Sequence, residues 1–260
     1  MRIVQGIQLS KFILALLSLG IVCIFACKEA TEVSTQAAAT TVITQAASTE
    51  KPRQTEVTAI SEKIDGELSP EEFPCNDHLV PIGKRSGWIT EDCIPPELII
   101  LPSTIAFADC YLVPEAAQAA INLVNEADKN GYQLAAVSCY RSYQYQQQIY
   151  ERNVREIGEE QTALEVALPG YSEHQLGTTV DISTKSLDFQ LTQLLGDSLG
   201  GKWLHENASK FGFVLSYPKG FEERTGYIYE PWHFRWVGVA LAKLIEESEL
   251  SVEEYLREIW

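Results

Sequence analysis

His174, Asp181 and His233 stand where their side chains could hold a metal ion. The first two lie in the segment Ser172 to Asp181, and the third closes Glu230-Pro231-Trp232-His233. Two imidazoles and one carboxylate are the ligand set of a catalytic zinc that keeps one coordination position open for water. Glu230, three residues before His233, stands where a general base is wanted. The chain has only 4 histidines, so two in such settings carry weight.

The segments around these residues have to aim them. Gly170 and Gly177 bound the turn that carries His174. Thr178 to Ile182 reads as a strand leaving that turn, and alternation puts Thr179 and Asp181 on one face. An aspartate flanked by Val180 and Ile182 is buried and needs a partner, and a cation is the simplest one. A salt-bridged Asp181 and a satisfied core histidine at 174 are the alternatives. The Glu230 turn tips the balance, because Pro231 restricts its neighbour and Trp232 can anchor it in a core. This is not an HExxH helix, and that motif lends no support.

A third segment runs from Ser138 to Gln146. Arg141 stands at a strand end before a helix, where its fork could hold a carboxylate bidentately. Gln146, about one turn further on, could add a hydrogen bond. A surface arginine in a structural salt bridge is the competing account of Arg141.

The remaining elements follow from punctuation and periodicity. Leu98 to Leu101 suggests a short strand. Pro114 opens a helix with Ala117, Ala120, Ile121 and Val124 at helical spacing, ended by Lys129-Asn130-Gly131. Leu134 to Ser138 reads as a buried strand. Ser142 caps a second helix through about Ile157, ended by Gly158. Further on come a helix over 201–212, strands over 213–217 and 227–230, and helices over 234–247 and 252–259. Mixed helices and short strands in this order indicate an α+β fold, a small antiparallel sheet with flanking helices around a single zinc site.

These motifs together resemble a known family. Ser138, Tyr140, Arg141, Ser142, Tyr143 and Gln146 make one block. Pro169 to Gly177 with Val180-Asp181-Ile182, Tyr217-Pro218-Lys219-Gly220, and Glu230-Pro231-Trp232-His233 with Arg235 make three more. Their types and order are similar to the zinc D-alanyl-D-alanine carboxypeptidases of VanY/LdcB type, which trim peptidoglycan stem peptides. The likeness spans about Cys93 to Gly238. It implies that His174, Asp181 and His233 bind Zn²⁺ and that Glu230 is the catalytic base, aided by Arg141. It implies substrate contacts at Arg141, Gln146, Ser172 and Tyr217. This chain departs from the pattern at Cys139, where glycine is usual, at Ser216, where arginine is frequent, and at Thr178-Thr179. The expected activity is removal of a C-terminal D-amino acid. An L,D-carboxypeptidase, an endopeptidase or dipeptidase of the same superfamily, and a non-catalytic wall-binding module are the alternatives.

Composition bounds the partners. The net charge is -16 over 260 residues, and no basic patch suggests a nucleic-acid partner. An anionic substrate must then be met by a local positive group. Residues 1–27 read as an export segment, with Arg2 and Lys11 before an apolar run from Phe12 to Ala26. That run is shorter than the roughly 20 residues a membrane-spanning helix needs. It ends in Ile24-Phe25-Ala26-Cys27, similar to a lipoprotein cleavage box, so Cys27 would carry a lipid. An uncleaved anchor and a plain cleaved signal are the alternatives, and all three put the domain outside the cytoplasm in the cell envelope. Residues 28–65, rich in Ala, Thr, Ser and Gln, read as a flexible tether to a carboxypeptidase domain over 66–260. Cys75, Cys93, Cys110 and Cys139 suggest disulfides in an exported domain. The most local pairing, Cys75–Cys93 and Cys110–Cys139, is expected, with free buried thiols as the alternative.

Overall fold

The computed structural model describes residues 70–75 and 77–260. The export segment and most of the tether, with Cys27, lie outside the described residues. Among the described residues no helix is long and apolar enough to cross a membrane.

Two small strand pairs come first. β1 (Glu71–Glu72) pairs in parallel with β2 (Gly87–Trp88), and β3 (Ile99–Ile100) pairs antiparallel with β4 (Tyr111–Leu112). Then follow α1 (Pro114–Lys129), β5 (Leu134–Ser138), α2 (Tyr143–Ile157), α3 (Glu159–Glu165), β6 (Thr179–Thr184), α4 (Leu199–Asn207), β7 (Phe213–Leu215), α5 (Glu222–Thr225), β8 (His233–Trp236), α6 (Val239–Ser248) and α7 (Val252–Ile259). The main sheet has the order β5-β6-β8-β7, antiparallel throughout. The α+β expectation holds.

The sheet has two chemically different faces. Register pairs Val180 with Phe234 and Asp181 with His233. Alternation therefore turns Val180, Ile182 and Phe234 to one side and Thr179, Asp181, His233 and Arg235 to the other. On the apolar side, α1 contributes Ala116, Ala120, Leu123, Val124 and Ala127 to one core, with Leu204 of α4 and Phe213 of β7. Full burial of each larger side chain stabilises by roughly 1.5–3 kcal/mol. That core holds the sheet flat against α1 while the polar face is left to the site.

α1 begins at Pro114, whose missing N–H costs nothing in a first turn. The Ser142 hydroxyl accepts from the Tyr145 N–H and starts α2. α7 opens with a full capping box from Ser251 and Glu254. Both expected disulfides form, Cys75–Cys93 and Cys110–Cys139.

Two expectations fail. Residues 227–230 form no strand, because the Ile228 N–H donates to the Leu164 carbonyl and the Glu230 N–H to the Tyr217 carbonyl. Their backbone donors are spent on loops rather than a ladder. Residues 234–236 are not helical either. They pair with β6 and β7 on both sides, and the helix begins only at Val239. Helix α3 is an element that the sequence reading did not anticipate.

Candidate metal centre and active site

His174 sits on a one-turn 3-10 helix, Glu173–Leu176, that ends at Gly177 with φ 70°. A side chain there would be strained by that φ and would press on Leu98, Pro95 and Val113. The turn drops His174 beside β6. Across the sheet, β8 places His233 directly opposite Asp181. His174, Asp181 and His233 are all buried, and one ligand atom from each lies within 4.8 Å of the others. Asp181 Oδ2 is 3.4 Å from His174 Nε2, and Asp181 Oδ1 is 3.4 Å from His233 Nδ1. Tetrahedral donors at ~2.0–2.1 Å from a zinc ion stand roughly 3.3 Å apart.

Two observations test whether a cation fits. His174 Nε2 and Asp181 Oδ1 are buried with no hydrogen-bond partner among the described residues. Leaving such atoms unpaired costs about 1–3 kcal/mol each. The outer nitrogens are both committed elsewhere. His174 Nδ1 donates to the Cys139 carbonyl at 2.6 Å, and His233 Nε2 donates to Glu173 Oε2 at 2.8 Å. In its neutral form each ring thus turns a lone pair towards Asp181, the arrangement of metal-ligating histidines. The residues fit a divalent cation.

The Glu230 turn closes on this group. The His233 N–H donates to the Glu230 carbonyl, and His205 Nε2 donates to the Pro231 carbonyl at 2.9 Å. Glu230 Oε2 lies 3.5 Å from His233 Nδ1. Burial raises the Glu230 pKa to about 8, against the pull of His233. A cation beside it would favour the charged form.

The electrostatics of the ligands differ. Burial and the Arg141 charge lower His174 to about 4. Burial also opposes a charge on His233, but the neighbouring carboxylates of Asp181 and Glu173 outweigh it and raise its pKa to about 10. Asp181 is held well below the usual carboxylate range, because His174 and Arg141 outweigh its burial.

Arg141 reaches the site from the end of β5. Its Nη2 donates to Asp181 Oδ2 at 2.6 Å, and its Nε and Nη2 both donate to Ser138 Oγ. These bonds engage Nε and Nη2, not Nη1. Tyr217 is buried with its ring 4.6 Å from that of His233. Ser172 is buried immediately before the 3-10 turn. Gln146 is buried on α2, where its Nε2 donates to the Ala167 carbonyl and its Oε1 has no partner among the described residues. The structure thus groups Arg141, Tyr217, Glu230 and the three candidate ligands, while Gln146 braces the 167 loop.

Glu173 and Arg235 are functional residues that the sequence reading left without a role. Glu173 is buried and accepts from His233, from Ser216 Oγ at 2.6 Å and from Arg235 Nη1 at 3.2 Å. Burial pushes its pKa up, but these partners prevail and lower it to about 2. Arg235, wholly buried, also donates to the His78 and Val80 carbonyls. The sequence reading puts Arg235 in a helix, and only its place on β8, two residues beyond His233, sets it on the same face as the ligand.

Comparison with known proteins accords with this geometry. The family model for VanY, a D-alanyl-D-alanine carboxypeptidase, matches residues 109–239. The chain belongs to the VanY family. YodJ of Bacillus subtilis strain 168 is 38% identical over 201 residues, covering 76% of this chain and 72% of that protein. The solved LdcB LD-carboxypeptidase is 37% identical with a TM-score of 0.67, covering 74% of this chain and 92% of that one. The D,D-pentapeptidase VanY from a VanB-type resistance cassette, solved with Zn(II), is 30% identical with a TM-score of 0.59. It covers 69% of this chain and 98% of its own. As a VanY-family member the chain is a carboxypeptidase of the metallopeptidase type, and its His174, Asp181 and His233 form a buried group that could hold a metal ion.

Proposed function

We propose that this protein is a zinc-dependent carboxypeptidase that removes the C-terminal D-alanine from peptidoglycan stem peptides, trimming a pentapeptide that ends in D-Ala-D-Ala. The observation that carries this reading is the buried His174, Asp181 and His233 group with Glu230 at 3.5 Å from His233. His174 Nε2, Asp181 and His233 Nδ1 would hold the ion. Bound zinc would supply Lewis acidity at the scissile carbonyl and a water acidic enough to ionise near neutral pH.

The protein's own groups do the rest. Glu230 takes the proton of the attacking water and returns it to the departing amine. One carboxyl can serve as base and then as acid because burial raises its proton affinity while a bound cation would pull it back towards the charged form. Arg141, tied down through Nε and Nη2, offers Nη1 to the terminal carboxylate of the substrate, with Ser172 as a further contact, while Gln146 donates to the Ala167 carbonyl and steadies the loop beside it. A peptide held at its end presents only its last bond. In a protein of net charge -16, such a local cation is required for an anionic substrate.

A second reading is supported by the likeness to LdcB, which has the larger share of this chain and the larger TM-score. In that L,D reading the residue before the cut is an L-configured centre and a tetrapeptide becomes a tripeptide. Both readings place the domain outside the cytoplasm, held by lipidated Cys27 or an uncleaved anchor. The two disulfides support an oxidising compartment.

Mass spectrometry of purified muropeptides incubated with the soluble domain tests the choice. Conversion of pentapeptide to tetrapeptide is expected. Conversion of tetrapeptide alone replaces the D,D reading with the L,D one. Amidating the terminal carboxylate is expected to cost on the order of 2–5 kcal/mol of transition-state binding. Equal cleavage of amidated and free peptides would leave an endopeptidase instead.

A further inference from the structure

We propose that the Cys110–Cys139 disulfide is a positioning element for the metal ligands, acting on His174 through the Cys139 carbonyl and on Asp181 through Arg141. The inference rests on the zinc reading above and adds to it a device that this chain carries at residue 139.

The argument begins where the sheet ends. β5 follows β6 as far as the pair Ser138 and Asp181, with a register shift between Ala136 and Ser138. Cys139 is the first residue beyond the ladder, so strand pairing no longer fixes its peptide. Yet its carbonyl is the group that receives His174 Nδ1, at 2.6 Å. A carbonyl can only accept. It therefore holds the proton on Nδ1 and leaves the Nε2 lone pair for a metal. Two residues later, Arg141 donates to Asp181 Oδ2, and its own N–H donates to the His174 carbonyl at 3.2 Å. The outer partners of two of the three ligands thus lie on one short segment past the end of a strand.

The disulfide supplies the missing restraint. Cys110 leads directly into β4, and its carbonyl accepts from the Leu101 N–H in the small β3–β4 sheet. Cys110 and Cys139 are both buried, with Cα atoms 5.1 Å apart. One hydrogen bond, from the Tyr140 N–H to the Tyr111 carbonyl at 3.0 Å, runs beside the covalent tie. The segment is pinned to β4 by one sulfur bridge and one hydrogen bond, and removing the bridge leaves the weaker tie alone.

The other disulfide provides the control. Cys93 packs with Phe73, Val80, Ile82, Ile89 and Leu176, and neither Cys75 nor Cys93 accepts a hydrogen bond from a ligand histidine. It meets the site at one remove, through Leu176 on the His174 turn, the Val80 carbonyl that accepts from Arg235, and its own carbonyl, which accepts from Gln175 Nε2 at 3.2 Å.

The experiment compares the full chain with three variants: C110A/C139A, C110A alone, and C75A/C93A. The C110A variant keeps residue 139 and removes only the covalent tie. Circular dichroism checks folding, chelator competition measures zinc affinity, and visible absorption of the Co(II)-loaded protein reports ligand geometry. Loss of the Cys110–Cys139 bridge is expected to weaken zinc binding by on the order of 10–100-fold and to shift the Co(II) bands. C75A/C93A is expected to lower the melting temperature of the metal-free protein and to leave zinc affinity within about 3-fold of the parent. Unchanged zinc affinity without the Cys110–Cys139 bridge overturns the proposal, as does an equal loss in both double variants. If neither C110A variant folds while C75A/C93A does, the bridge is a requirement of the fold and the positioning role is overturned. A parent protein that binds no zinc overturns the metal reading first, and this inference with it.

Discussion

His174 and His233 face the same point from opposite sides, yet they are held by opposite kinds of group. His174 hangs from a turn and leans on a neutral backbone carbonyl. His233 lies within a strand and leans on the buried carboxylate of Glu173, itself braced by Arg235 and Ser216. A carbonyl orients a ring. A carboxylate orients it and raises its basicity as a ligand. The proton affinities differ as well: burial and Arg141 lower His174 to about 4, while for His233 burial is outweighed by the carboxylates of Asp181 and Glu173, which raise it to about 10. Around the centre three carboxylates, Glu173, Asp181 and Glu230, meet two guanidiniums, Arg141 and Arg235. His233 lies against all three carboxylates, whereas His174 meets Asp181 and the Arg141 charge. One histidine is ready to bind a cation at any working pH, and the other must first give up a proton.

The strongest test of this asymmetry is at Glu230, which borders His233. Glu230→Gln keeps the shape and removes the base. Turnover on muropeptides is expected to fall by about 10²–10⁴-fold, with zinc affinity within about 3-fold of the parent. A rate within a few-fold of the parent would mean that the base lies elsewhere.

The next effect separates the two histidines directly. Glu173→Gln removes the carboxylate behind His233 and leaves Arg235 buried without its charge partner. Zinc affinity is expected to drop by on the order of 10–100-fold, and the metal-free fold to lose about 3–5 kcal/mol, read by denaturant unfolding. A variant that binds zinc as tightly as the parent would make the two histidines equivalent after all.

The smallest effect is in pH. Both His233 and Glu230 bind a proton more tightly in the folded chain than in the unfolded one. Where the native state holds more protons, stability falls as pH rises. The melting temperature of the metal-free protein should therefore decline from pH 6 to 9, as Glu230 ionises near 8 and His233 towards 10. Glu230→Gln should lessen the decline. Zinc affinity should run the other way, strengthening with pH as the His233 proton becomes easier to displace. A metal-free melting temperature that rises with pH would contradict the assigned shifts.

Much of the site was legible in the chain. Asp181 between Val180 and Ile182 announced a buried carboxylate, and Glu230 to His233 announced a rigid turn. Pro114 and Ser142 marked the starts of α1 and α2 correctly. What stayed hidden depended on contacts between distant residues. Glu173 reads as a surface acid beside a histidine until Arg235, Ser216 and His233 close around it. Residues 234–247 have helical spacing through Val237, Leu241 and Leu244, but the first of them join a sheet whose neighbours on both sides outweigh local preference. The same competition removed the strand expected at Tyr227 to Glu230.

The order of strands has a kinetic meaning. β6 pairs with β8, which follows roughly fifty residues later in the chain, so their pairing closes a long loop. Before that closure, His174 and Asp181 can already be neighbours, but neither Glu230 nor His233 is beside them. The donor set and the base are therefore complete only once β8 has docked. A chain in which β8 is undocked has no complete donor set. A cation gripped only by the finished set stabilises the native chain over every state in which β8 is undocked. It should lengthen the lifetime of the folded molecule rather than hasten its birth.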